Sequence, residues 1–136
     1  MCPLQNLSLQ SVDTGQAVSR VRFITHRGKR VLFIDYSHSD VETMKAVAEE
    51  GHRVIALHSP KSVLTLNDVT GASFDQESVE VLKSKVTANA PYVKRAAVTG
   101  ISGLQRLIYE AVKFFAKRTI PLFPSREEAL NYLTED

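Results

Sequence analysis

The sequence predicts an α/β domain built on a mostly parallel sheet with an antiparallel hairpin at its start. Segments of strand-like alternation or short apolar runs take turns with segments of helical spacing, in the order β-β-α-β-α-β-α-β-α. The first two strands are separated only by a short loop containing Gly28, which favours a hairpin. A length of 136 residues, 43% hydrophobic and 24% charged, is that of one ordinary globular domain.

Each element has a local reason. Val21, Phe23 and Thr25 alternate with Arg20, Arg22, Ile24 and His26 in a half-buried strand pattern, and Val31 to Ile34 form a more deeply buried second strand. Ser39 followed by Glu42 reads as a capping box opening a helix with Met44, Val47, Ala48, Gly51 and Ile55 on one face. The stretch from Glu50 to Leu57 allows two readings. It is either a helix end and a new strand, as in a dinucleotide-binding unit, or a helix running on to about His58 with Gly51 against the sheet. The first needs a glycine-rich loop after the strand, where Ile34-Asp35-Tyr36-Ser37-His38-Ser39 stands instead, so the long helix stopped by Pro60 is preferred and no nucleotide cofactor is expected.

Ser62 to Leu66 reads as a strand, and Asp75 as the N-cap of a helix carrying Val79, Leu82 and Val86. Val93 to Thr99 suits a buried strand. The turn Gly100-Ile101-Ser102-Gly103 leads into an amphipathic helix with Leu104, Leu107, Ile108, Ala111, Val112 and Phe115 on one stripe. Ile120 to Phe123 is a short last strand, and Ser125 with Glu128 caps a final helix.

Composition excludes several classes. One cysteine, Cys2, rules out an internal disulfide framework and a cysteine-based zinc cage. No window approaches the roughly 18 apolar residues of a membrane span. Residues 1 to 18 carry a single charge, Asp13, and lack a basic start followed by an apolar stretch. They are expected to form a flexible arm, residues 19 to 136 the domain, and the location is expected to be cytoplasmic. The formal net charge is +2, yet residues 83 to 118 hold eight bases against the single acid Glu110. That local excess suits an acidic partner or a solvated helix face; without runs of adjacent bases, no specific nucleic-acid binding is expected.

The candidate chemistry is sparse. Ser102 in Gly-Ile-Ser-Gly-Leu does not match the nucleophile elbow, and its simpler role is to cap the helix behind it. The backbone between Thr99 and Gly103, with Arg95 and Arg106 nearby, could hold an anion at a helix start. His26, His38, His52 and His58 lack metal-ligand spacing, and no metal is expected. Tyr109 and Phe114 could be exposed aromatics at a protein or lipid contact, or simply core-rim residues.

Several strings together resemble the STAS family, the domain of bacterial anti-sigma-factor antagonists, and its stand-alone SpoIIAA-like branch, loosely similar to CRAL-TRIO lipid-binding domains. They are Pro60-Lys61-Ser62-Val63-Leu64-Thr65-Leu66, Asp68-Val69-Thr70-Gly71-Ala72, Pro91 to Gly100, and Phe123-Pro124-Ser125-Arg126-Glu127-Glu128-Ala129-Leu130. The resemblance implies a STAS-like sheet with four helices packed largely on one face. It also implies a non-catalytic regulatory module that binds a protein partner, or else a carrier or sensor of a small apolar or lipid-like ligand; a homodimer is left open, and a small hydrolase, read from Ser102 with His38 and Asp35 or Asp68 rather than from the resemblance, is a distant third. In the antagonists a serine in an Asp-Ser-Ser-Gly helix start is phosphorylated. Here Asp75 is kept but Gln76 and Glu77 replace the two serines, so the switch is expected to be lost or moved to Ser78 or Ser73. The candidates for partner or ligand binding are Asp68, Thr70, Gly71, Asp75, Glu77, Ser78, Gly100, Ser102, Arg106 and Tyr109.

Overall fold

A computed structural model of the protein describes residues 17–103, 105–116 and 120–135. Its elements are β1 (Val21–His26), β2 (Lys29–Asp35), α1 (Val41–Ile55), β3 (Val63–Asp68), α2 (Gln76–Asn89), β4 (Val93–Thr99), α3 (Gln105–Ala116), β5 (Leu122–Phe123) and α4 (Arg126–Leu133). The sheet is ordered β1-β2-β3-β4-β5, with β1 antiparallel to β2 and every later pair parallel. The predicted α/β class, element order and leading hairpin are all present.

The hairpin turns through Arg27 and Gly28, at φ 53° and 80°, so that His26 pairs with Lys29. Two left-handed residues in a two-residue loop match the twist of the strands they join. From β2 onward each strand is added beside the last, and each crossover is a helix. Crossovers of one hand advancing in one direction put their helices on the same face. So α1, α2 and α3 share one face, where Leu32, Ile34, Met44, Val47, Ile55, Val63 and Ala96 form the larger core. No strand follows α4, which is therefore free to take the other face, against Val31, Phe33, Leu64, Leu66 and Ala97 through Ala129 and Leu133.

Three local expectations need correction or extension. The N-cap of α1 is Asp40, whose carboxylate accepts from the Thr43 amide at 2.7 Å. Ser39 is instead buried, its hydroxyl donating to the Tyr36 carbonyl at 2.7 Å, so it cannot serve the helix. The helix ends at Ile55, followed by turns to His58, and Gly51 does face the sheet: a Cβ there would lie 3.3 Å from Ile34 Cδ1. Residues 17–19 are helical and Ala17 packs in the larger core, so the domain already includes Ala17 from the expected arm. Residues 1–16, Leu104, Lys117 and Arg118, with the side chains of Leu107, Lys113, Phe114 and Phe115, lie outside the described residues.

Candidate functional site

Two places concentrate functional groups: the C-terminal ends of the parallel strands, and a cavity between the sheet and α1, α2 and α3. In open α/β sheets the strand ends are where ligands usually sit.

At the strand ends, Asp35, Asp68 and Thr99 are neighbours in register on β2, β3 and β4. Asp68 is almost wholly buried and accepts from the Thr70 hydroxyl and amide at 2.7 and 3.0 Å, and from Arg126 of α4 at 2.7 and 3.0 Å. Burial pulls its carboxyl upward, but the Thr70 and Arg126 hydrogen bonds outweigh that and hold it below the usual carboxylate range. Asp35 is likewise occupied by the Ser37 amide and hydroxyl, at 2.9 and 2.5 Å. These carboxylates are therefore committed to fixing their own loops. Among the described residues no group of three or more His, Cys, Asp or Glu side chains is placed to hold a metal.

The two loops expected to form a surface do lie side by side. The Val69 amide donates to the Thr99 carbonyl at 3.0 Å, and Gly100, at φ 87°, is pressed against Thr70. A Cβ on Gly100 would come within 2.5 Å of the Thr70 nitrogen. That contact corrects the anion-cradle reading: the bare side of Gly100 is filled by protein backbone rather than open to a phosphate. Arg95 does not support the loop either, because its guanidinium donates to the carbonyls of Tyr132 and Glu135 at the end of α4. Thr70, Gly71, Ser102 and Arg106 are exposed, and Gly71 leans on the ring of His38.

At the start of α2, Asp75 caps the helix as expected, accepting from the Ser78 amide at 2.7 Å. Ser78 completes a capping box by accepting from the Asp75 amide at 2.8 Å, and its side chain is fully buried. It is thus closed to a kinase in the folded protein, whereas Ser73 is exposed. Glu77 is exposed and pairs with Lys45 of α1, whose ammonium is held protonated by Glu42 and Glu77 together. Ion pairs absorb part of the basic segment too, Lys83 with Glu80 and Lys85 with Glu49.

The cavity has a volume of about 110 Å³ and is partly open. Its walls are mainly apolar, from Ile34 and Val98 on the sheet to Ala48, Val86 and Val112 on the three helices. Gly51 widens it by bringing no side chain to α1. Tyr109 lines it rather than standing exposed: the ring is half-buried and its hydroxyl donates to the Ile120 carbonyl, which is the core-rim one of its two expected readings.

Its polar groups are few. Tyr36 is 7% exposed, and among the described residues its hydroxyl has no hydrogen-bond partner; burial pushes the phenol upward, so it stays a protonated donor. The Asn67 side-chain nitrogen donates to the Ala97 carbonyl at 3.2 Å and to Thr65 Oγ1 at 3.4 Å. What Asn67 has left to offer is its acceptor, Oδ1. Lys85 also borders the cavity, 3.0 Å from Glu49.

None of Tyr36, Asn67 or Lys85 stood out from the sequence. A signal was present in Thr65 and Asn67, polar residues two apart in an otherwise apolar strand, which places both on one face. Which face, and what stands opposite, depends on the helices that cover it.

No protein-family model, curated protein or solved structure matches this chain. Among the described residues no helix is long and apolar enough to cross a membrane.

Proposed function

We propose that this protein is a non-catalytic carrier or sensor of a small, mainly apolar molecule held between the sheet and helices α1 to α3. The observation that carries this reading is the cavity of about 110 Å³ with apolar walls, lined at one side by the largely buried Tyr36. Pockets of this make-up, apolar with a few placed polar groups, are the usual form of small-molecule sites. The resemblance of the sequence to stand-alone STAS-like proteins includes this reading as the alternative to a regulatory module, and a cytoplasmic location goes with a chain that has one cysteine. Engineered apolar cavities of about 150 Å³ take up benzene. The cavity as it stands therefore suits a single ring or a short aliphatic group rather than a diacyl lipid.

A second reading, regulation through a protein partner, is favoured by the pairing of the 70–77 and 99–103 loops at one end of the sheet. Thr70, Gly71, Asp75, Glu77 and Ser102 are all exposed there. The two readings combine if a ligand in the cavity alters Val69, Phe74 and Ile101, which line it and lie in these loops or, for Val69, directly before one.

The test compares native and denaturing mass spectra of freshly purified protein. Extra mass that is lost on denaturation supports the ligand reading, and the native spectrum also reports monomer or dimer. A bare chain mass, together with no thermal stabilisation by any member of a panel of small aromatic and aliphatic compounds, overturns it.

A further inference from the structure

Resting on the cavity reading above, we infer that the ligand is a neutral, ring-sized molecule whose polar group accepts a hydrogen bond from Tyr36 and donates one to Asn67.

Size sets the first limit, since about 110 Å³ admits roughly one ring. Tyr36 sets the second. A tyrosine more than nine-tenths buried usually has a hydrogen-bond partner for its hydroxyl, and one without a partner is a donor that a bound molecule can use. Tyr36 is 7% exposed, lines the cavity, and has no partner among the described residues. By contrast Tyr109, on the opposite wall, has spent its hydroxyl on Ile120. The cavity thus offers a free donor on the sheet side, at the end of β2.

Asn67 sets the third limit. Its nitrogen is engaged with Ala97 and Thr65, so it presents an acceptor from the neighbouring strand. One hydroxyl on a ring satisfies both groups by accepting from Tyr36 and donating to Asn67 Oδ1. Charge is the fourth limit. The described cation at the cavity, Lys85, is already paired with Glu49, and the remaining described lining groups are neutral. A carboxylate would lose its hydration against neutral dipoles, which disfavours an anion.

The experiment titrates phenol, toluene and benzoate at pH 7 into the wild-type protein and into Tyr36→Phe, followed by amide shifts in two-dimensional NMR. Tyr36→Phe removes no hydrogen bond among the described residues and keeps the ring, so the fold persists; an unchanged amide spectrum away from the cavity checks this. Phenol is expected to shift the amides of Ile34, Asn67 and Ala96 and to lose roughly tenfold in affinity in Tyr36→Phe. Toluene is expected to bind both proteins within twofold, and benzoate to bind more weakly than phenol.

If toluene binds but the phenol affinity is the same in both proteins, the polar anchor is overturned while the cavity reading stands. Benzoate binding more tightly than phenol overturns the neutral class. If no probe shifts the cavity amides, both the inference and the carrier reading fall.

Discussion

Arg126, in the first turn of α4, reaches back to the carboxylate of Asp68 at the end of β3 and donates to it from Nε and Nη2, at 3.0 and 2.7 Å. The Asp68 side chain is 6% exposed and that of Arg126 52%. The bond ties α4, on the far face of the sheet, to the same strand end from which the 68–75 loop departs.

Arg126→Ala should therefore destabilise the fold. Breaking a fully buried pair costs about 3–5 kcal/mol, but a half-exposed guanidinium is screened by water, so a loss of about 2 kcal/mol is expected. The folded Asp68 carboxyl lies below its unfolded value, so its contribution is complete above about pH 4 and fades as pH falls through the folded value. The gap between wild type and variant, from urea denaturation, should accordingly be wide at pH 7 and narrower at pH 3. An equal gap at both would mean that the pair adds nothing electrostatic.

Two glycines at the end of β4 should respond differently to alanine. Gly100 has φ 87° and its missing Cβ would strike Thr70 backbone at 2.5 and 2.8 Å, neither of which can yield cheaply. Gly100→Ala should cost on the order of 3 kcal/mol or more. Gly103 has φ 48° with nothing within 4 Å of a Cβ, leaving only the left-handed penalty of roughly 1 kcal/mol. Thermal unfolding of the two variants side by side measures the difference, and similar midpoints would contradict the packing of the two loops.

Gly51→Ala separates stability from binding. Alanine gains roughly 1 kcal/mol over glycine inside a helix, and its Cβ would lie 3.3 Å from Ile34 Cδ1, the flexible tip of a side chain that borders the cavity. The tip can move by tilting into the cavity. Stability should rise by up to about 0.5 kcal/mol while binding of a ring-sized probe such as toluene weakens several-fold. A calorimetric titration with unchanged affinity would show that Ile34 moves elsewhere.

Ser78 should remain unmodified when the folded protein is incubated with a serine kinase, because its hydroxyl is buried in the capping box of α2. Ser78→Asp would bury an unpaired charge and should destabilise by more than about 3 kcal/mol. Phosphopeptide mapping that finds Ser78 labelled in natively folded protein would overturn this, whereas label on exposed Ser73 would not.

The order of elements was legible in the chain because period and punctuation are local properties. Alternation from Val21 to His26, the Asp75 cap, and the uninterrupted run from Val93 to Thr99 each name their element without reference to anything distant. Even so, local pattern misassigned a cap: Ser39 and Asp40 are both good N-cap types, and the choice fell to Asp40 because the Tyr36 carbonyl claims the Ser39 hydroxyl.

The candidate site was much less legible. Asp68, Thr70, Gly71 and Gly100 were singled out and do come together, yet their bonds are mostly to one another and to Arg126, so they build the strand end rather than leave it open. The sequence leaves Tyr109 open between a surface aromatic and a core-rim residue, and the structure decides it by packing the ring at the cavity with its hydroxyl on the Ile120 carbonyl.

By itself, then, the sequence determined the α/β class, the hairpin, the succession of crossovers and the lack of a cysteine framework, all of which follow from residues close together in the chain. Only the tertiary structure decided that α4 takes the opposite face, that Gly51 and Ile34 leave room beneath α1, and that Tyr36 enters that room with its hydroxyl unspent. A cavity is a property of what several distant segments fail to fill, and no single segment carries the record of it.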